Sequence, residues 1–418
     1  MILKKVPGVP AGRRSCSVRW LCVFAAGWLP FTASAPAQSP TWTGSWATAP
    51  MASPQNEAQI DSRGETIRNL IHLSIGGRAL RVRLSNSYGA KPLTVAEVHV
   101  AMSGGGGAIE AGTDHRVTFG GEGAVVIPAE SVAVSDPVAL QTAAFADLAI
   151  SIFVPAQTDL VLTYHSQAIA TNYVAAGNQV ALPTLNNPSK VNNWYLVNGV
   201  DVDAGPHAAS IVILGASVVN GTHSTMDKNR RWPDDLAVRL QSLSPTARLG
   251  VLNEGIGGNR ILHNNTGLSG IARMDRDVLN QTNATFLVFS MGTNDIGRTF
   301  LPTDPEEKGV TAEQIEWAMQ QAVWRAHARS MKVICATLNP YEGASYFSPD
   351  GERMRLAVNR FILSSNACDG IVDFDRVTRD PAHPSRLLPA YDSGDHLHPN
   401  DAGYQVMADA FNLEIFMH

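Results

Sequence analysis

Several things are scarce in this sequence, and each scarcity closes off a class of function. Basic residues are few. The chain has 32 Lys and Arg against 37 Asp and Glu, and five of the 32 (Lys4, Lys5, Arg13, Arg14, Arg19) lie at the start, where no acid occurs. Beyond that start 27 basic residues face 37 acidic ones, a formal charge of −10, with no basic cluster. Nucleic acid and anionic membrane attract the opposite pattern, so neither is expected as a partner. Cysteine is scarcer still. Of four, Cys16 and Cys22 belong to the leading stretch, which leaves Cys335 and Cys368; a disulfide and two buried thiols are both open at that spacing. No Gly-x-Ser-x-Gly occurs, which argues against the α/β-hydrolase nucleophile elbow. The sequence also shows no long apolar lid and no internal repeat.

The apolar run 20–31 follows the basic start and precedes Ala35-Pro36-Ala37, a small-x-small cleavage site ahead of Gln38. It is shorter than the roughly 20 residues a spanning helix needs. Residues 1–37 therefore read as an export signal cleaved after Ala37, and the mature chain as secreted or periplasmic, with no stable membrane association. At 418 residues, 44% hydrophobic and 17% charged, the sequence suits a globular protein of two domains.

Residues 38–204 read as an all-β domain. Ile71, Leu73 and Ile75 alternate with polar residues, as do Leu80, Val82 and Leu84, and then Leu148, Ile150, Ile152 and Val154. Alternation of period two predicts antiparallel strands covering a core on one side, with a polar outer face. Gly76-Gly77, Tyr88-Gly89, Gly120-Gly121 and the run Gly104 to Gly107 separate the strands. The prediction is a β-sandwich of jelly-roll type. The 104–107 run reads as a flexible loop tip, since it lacks the strand–helix setting of a phosphate loop.

Gly205-Pro206 marks a boundary, and residues 205–418 follow a different rule: short apolar strands separated by amphipathic helices. Strands are predicted at 211–214, 248–252, 286–290, 332–338 and 371–374, helices at 233–240, 311–330, 350–365 and 400–411. In the longest helix Ile315, Met319, Ala322, Val323 and Ala326 recur at helical spacing. This alternation predicts a parallel sheet with helices on both faces.

Chemistry concentrates at the predicted strand ends, where open α/β sheets hold their ligands. Ser217 follows the first strand in a turn of small residues. Asn253 to Arg260, rich in glycine, follows the second, and Gly292-Thr-Asn-Asp295 the third. Near the C-terminus Asp392-Ser-Gly-Asp-His-Leu-His-Pro-Asn400 sets Asp395 three residues before His398. Each has a bland reading alone: a strand-to-helix turn for Ser217, a helix N-terminal acid for Asp395. Together they hold what acyl transfer needs, namely a nucleophilic oxygen, a base, a group to orient it, and oxyanion donors. His396 and His398, with Asp392 and Asp395 near, have metal-like spacing; no third ligand cluster appears, so neither a metal nor a cofactor is assigned. Trp232 and Tyr341 are candidates to line the cleft, although aromatics beside strands are more often core, and Asp373 and Asp375 read as turn or cap residues rather than catalytic ones.

The four stretches, in order, resemble the four sequence blocks of the SGNH (GDSL) hydrolases, and the resemblance runs from about residue 210 to 411. It implies a flavodoxin-like SGNH fold. It makes Ser217 the nucleophile, His398 the base and Asp395 its partner, with Ser217 N–H, Gly258 N–H and the Asn294 side chain as oxyanion donors. The β-rich first half resembles that of secreted bacterial members grouped with carbohydrate (xylan-type) esterases. The expected activity is hydrolysis of carboxylic esters of small acyl groups, such as acetyl esters of plant polysaccharide. A lipase or lysophospholipase on the same triad, and a non-catalytic carbohydrate-binding protein, are the alternatives. The second follows from one departure: the family usually has Asp where Ala216 stands, an acid that braces the nucleophile turn. Asn220 and Asn259 are candidates to brace it instead.

Overall fold

Alternating burial builds the first half of the protein. The computed structural model describes residues 39–54, 63–157, 160–301 and 309–417; the export signal expected at 1–37 lies outside them. Two main antiparallel sheets form. One runs Trp42–Ala47, Val197–Asp203, Leu80–Ser85, Val132–Val134; the other is centred on Asn172–Ala176, Glu65–His72, Asp147–Val154 and Glu97–Gly105. Leu80, Val82, Leu84, Val200 and Val202 from the first sheet share one buried cluster with Ile67, Ile71, Leu148, Ile150 and Ile152 from the second. The apolar face is the one expected. The other face is not solvent-facing at its centre, where Thr66, Arg68 and Ser151 are also buried. Arg68 donates to Ser151 Oγ, to Gly107 O and to Leu182 O, each at 2.8 Å. The bond to Gly107 O anchors the end of the glycine run, whose other residues form an exposed loop tip as expected. Gly105, Gly106 and Gly107 turn the chain with φ of 83°, 58° and 83° between Glu97–Gly105 and Ala108–Ile109.

The second half is a five-stranded parallel sheet. Its strands are β1 (Ala209–Gly215), β2 (Leu249–Gly255), β3 (Ala284–Ser290), β4 (Lys332–Ala336) and β5 (Gly370–Val372), in the order β2-β1-β3-β4-β5. Side chains alternate between faces along a strand. Val212, Leu214, Leu287, Phe289, Val333 and Cys335 therefore enter one core, and Ile211, Ile213, Phe286, Val288, Ile334 and Ala336 another. The helices divide between these faces. Helices α4 (Ala312–His327) and α5 (Pro349–Ser364) pack into the first core, α2 (Trp232–Gln241) and α6 (Asp401–Asp409) into the second. Two short helices, α1 (Ser217–Asn220) and α3 (Thr293–Thr299), follow β1 and β3; neither is long enough to leave a helical period in the sequence. Cys335 and Cys368 form a disulfide.

The two halves share contacts within one unit, Pro40–His418. Gly44 N donates to Thr282 O at 3.2 Å, and Ser210 Oγ donates to Gly44 O at 3.2 Å. A side chain on Gly250 would put its Cβ 2.0 Å from Gly44 O. A buried polar chain also crosses, from Arg83 through Gln281 to Glu254 on β2, at 2.6 and 2.9 Å. Among the described residues no helix is long and apolar enough to cross a membrane.

Candidate active site

The C-terminal ends of β1, β2 and β3 feed three turns, and a fourth segment reaches them from the approach to α6. The first turn sets Ser217 at the start of α1, where its N–H has no intrahelical partner. Among the described residues neither Ser217 N–H nor Gly258 N–H has an acceptor. Ser217 is 9% exposed. His398 Nε2 lies 2.8 Å from Ser217 Oγ, and His398 Nδ1 lies 2.6 Å from Asp395 Oδ2. Oδ1 of Asp395 accepts the Leu397 and His398 backbone N–H groups at 3.0 and 2.8 Å. Burial alone would raise this carboxyl. The His398 ring and the two backbone donors more than offset it and hold the group well below the usual carboxylate range. An anionic Asp395 accepts a proton-bearing Nδ1, which leaves Nε2 as the acceptor facing the serine.

Asn294, on α3, lines one small hollow with Ser217, and is 6% exposed. Its Nδ2 donates to Asn259 O at 2.9 Å and its Oδ1 accepts Tyr346 OH at 3.1 Å. One amide hydrogen remains for another acceptor. Gly258 is one peptide away from that Asn259 carbonyl and has φ of 75°, the left-handed region where a glycine adds no strain. The structure thus gathers Ser217, Asp395 and His398 into one hydrogen-bonded line, with Asn294 beside Ser217 and Gly258 next to the residue that holds Asn294.

Other side chains hold these turns, and no local pattern marks them. Asp295, 1% exposed, accepts from Ile261 N through both oxygens (3.1 and 2.9 Å) and from Leu262 N at 3.0 Å. That ties the loop after β2 to α3. Burial pushes its carboxyl up to about 6 against the pull of those donors. Arg273, fully buried, donates to Gly215 O at 2.8 Å, to Glu254 O at 2.8 Å and to Asn259 Oδ1 at 3.1 Å, with Asp277 as counter-ion at 3.0 Å. It clamps the carbonyl just before Ala216. The Asn259 and Asn220 side chains do not bond at position 216, and Asn220 reaches it only through its backbone N–H, which donates to Ala216 O at 2.9 Å. Asn259 Nδ2 donates to Thr266 O and Leu268 O, while Asn220 faces the β half, its Oδ1 2.8 Å from His165 Nε2. His165 is deeply buried, which favours its neutral form, and its Nδ1 lies 2.8 Å from Ala49 O.

The bland readings hold elsewhere. Trp232 and Tyr341 are core. Asp373 caps Phe374–Thr378, and Asp375 pairs with Arg355 and Arg379. His396 stacks its bond on Asp392 at 2.6 Å, away from the Asp395–His398 pair, so the two histidines of His-x-His serve different acids. Missed altogether was His223, six residues past Ser217, whose Nε2 lies 3.2 Å from Asp395 Oδ2.

Residues 211–411 match the sequence model of a family described as GDSL-like lipase/acylhydrolase. No curated protein sequence matches the chain. Among solved structures, a catalytic mutant of an acetylxylan esterase from Geobacillus stearothermophilus is 21% identical, with a TM-score of 0.39 over 50% of this chain and 95% of that one. A GDSL-like lipase from Bacteroides thetaiotaomicron is 18% identical, with a TM-score of 0.37 over 50% and 87%. An α/β hydrolase enzyme from the metagenome of Lake Arreo is 25% identical, with a TM-score of 0.38 over 50% and 97%.

Proposed function

Residues 211–411 belong to the GDSL-like lipase/acylhydrolase family, and from that premise we propose that the protein is a secreted serine esterase acting on carboxylic esters of small acyl groups. The observation that carries the proposal is the unbroken line Ser217 Oγ, His398, Asp395 at 2.8 and 2.6 Å. Ser217 Oγ attacks the ester carbonyl while His398 Nε2 takes its proton. Asp395 keeps the imidazole in the tautomer that can accept, and stabilises the imidazolium that forms. The oxyanion meets the Ser217 and Gly258 N–H groups and the free hydrogen of the Asn294 amide. His398 then protonates the leaving alcohol, and water activated by the same nitrogen releases the acid from the acyl-enzyme.

The small hollow beside Ser217, walled by Met291, Leu338, Tyr346 and Leu397, favours a short acyl group over a long chain. Esters on a polysaccharide, acetyl groups included, fit that reading.

The test uses short nitrophenyl esters. Ser217→Ala and His398→Ala should each remove most turnover, with the double variant little worse than either, because the groups act as a unit. Asn294→Ala should lower kcat by about 10²–10³ with little change in KM. Near-normal turnover in Ser217→Ala, or no labelling of the parent by a fluorophosphonate, would end the proposal.

A further inference from the structure

Asp395 is approached by two imidazoles, and the esterase mechanism uses only one. His223 Nε2 lies 3.2 Å from the same Oδ2 that holds His398 Nδ1 at 2.6 Å, and the two rings are 5.5 Å apart. The His223 contact lacks the alignment of a hydrogen bond. One donor atom from each of His223, Asp395 and His398 lies within 4.8 Å of the other two. We propose that these three residues form a binding site for a divalent transition-metal ion of the Zn²⁺ class, and that occupancy switches the esterase off. The binding half stands on the geometry alone; the switching half rests on the catalytic roles proposed above.

Geometry and donor chemistry both fit. Zinc holds His nitrogen and carboxylate oxygen at about 2.0–2.2 Å, which in a tetrahedron sets donor atoms about 3.4 Å apart. The Asp395–His398 pair needs to open by about 0.8 Å, and the His223–Asp395 pair is already near the value. Two imidazoles and a carboxylate suit Zn²⁺, Ni²⁺ or Cu²⁺, and not Mg²⁺ or Ca²⁺, which take oxygen shells. The His223 and Asp395 side chains are 49% and 36% exposed, so an ion can enter and water can take a fourth position.

His223 does not reach this place as a loose surface side chain. The loop that carries it is pinned on both sides. Tyr404 OH donates to Thr222 O at 2.6 Å, Ser224 N donates to Gly221 O at 2.9 Å, and Thr225 gives N–H and hydroxyl to Asp401 at 2.8 and 2.6 Å. His223 itself sits at φ of 68°, a left-handed conformation that few non-glycine residues adopt unless their surroundings hold them there. Backbone geometry therefore aims the ring at Asp395 before any ion arrives.

Coordination would disable the base without touching the serine. An ion on His398 Nδ1 displaces the proton from that nitrogen to Nε2, so the ring stays neutral and no proton is lost. Nε2 is then a donor toward Ser217 Oγ, and the nitrogen that must accept the serine proton is filled.

Zinc chloride titrated calorimetrically into full-length Ser217→Ala should show one saturable site, with no turnover needed to see it. His223→Gln in that background should bind at least about 10-fold more weakly, since even partners one layer out from a metal are worth about 10–100-fold. His396→Gln, which removes the neighbouring imidazole, should bind as the parent does. In the active protein saturating zinc should suppress nitrophenyl acetate hydrolysis and a chelator should restore it, while His223→Gln, against its own zinc-free rate, should resist the same zinc. Absent binding, or binding that survives His223→Gln or is lost in His396→Gln, overturns the site. Saturable binding in a protein with no hydrolysis would uphold the site and sink the esterase reading alone.

Discussion

At position 216 a methyl group stands in a hollow whose other walls include Ser290, Thr337 and Asn339. Thr337 is engaged, its hydroxyl donating to Asp373 and accepting from Asp375 N. Asn339 has a donor to spare, since among the described residues its Nδ2 reaches only Met407 Sδ, at 3.6 Å. The nucleophile turn is braced one residue earlier, through Arg273 and Ile256 N on Gly215 O, while residue 216 is held, among the described residues, only through its carbonyl, which accepts Val219 N and Asn220 N of α1 at 3.1 and 2.9 Å. A carboxylate there would extend into the hollow that Asn339 also lines. Ala216→Asp should raise kcat with KM little changed, by no more than the roughly 10² that an ångström of misplacement costs. Turnover and thermal midpoint on one acetyl ester measure it; a fall in both would show that the turn is built around alanine.

Between residue and fold stands the joint that Asp295 makes between the loop after β2 and α3. The loop carries Gly258, the helix carries Asn294, and both positions hang on one buried carboxyl. That carboxyl titrates at about 6 in the folded protein, against an ordinary 3.8. Between those values the folded chain binds more protons than the unfolded one, so stability falls as pH rises through the window and is level on either side. Asp295→Asn keeps an oxygen for Ile261 and Leu262 but has no proton to lose. Urea unfolding from about pH 4 to 7 should show the parent losing ground to Asp295→Asn as pH rises, at up to about 1.4 kcal/mol per pH unit. A pH-independent difference would mean that this carboxyl is not perturbed by burial.

Over the whole molecule the β half and the parallel sheet meet backbone to backbone, where Gly44 O would lie 2.0 Å from a Cβ at position 250. The two nearest atoms are both Gly44 backbone, at 2.0 and 3.2 Å, and cannot swing aside as a side-chain end could. Gly250→Ala should therefore cost about 1–3 kcal/mol or more by overpacking, read as a lower denaturation midpoint. The same variant should lose activity, because α1 is tied through Asn220 to His165 of the β half. A variant as stable as the parent would show that the halves can separate freely at this seam.

Local pattern carried the fold a long way. Period two in Leu148, Ile150 and Ile152 and helical spacing in Ile315, Met319 and Ala322 report which faces are buried, and burial is what secondary structure is selected to achieve. The turns at strand ends were legible for the same reason: small residues, an amide, and an acid before a histidine each mark a backbone that must stop and present a side chain. What the chain order cannot hold is distance across the fold. That His398 Nε2 lies 2.8 Å from Ser217 Oγ depends on the chain folding back across a separation of 181 positions. The buried polar face around Arg68, the clamp by Arg273 and the joint at Asp295 look in sequence like ordinary surface charge, because only packing decides which charges lose their water. His223 is the sharpest case. Nothing local separates it from a solvent-facing histidine, and it gains meaning only where the fold brings the Asp395 carboxylate beside it.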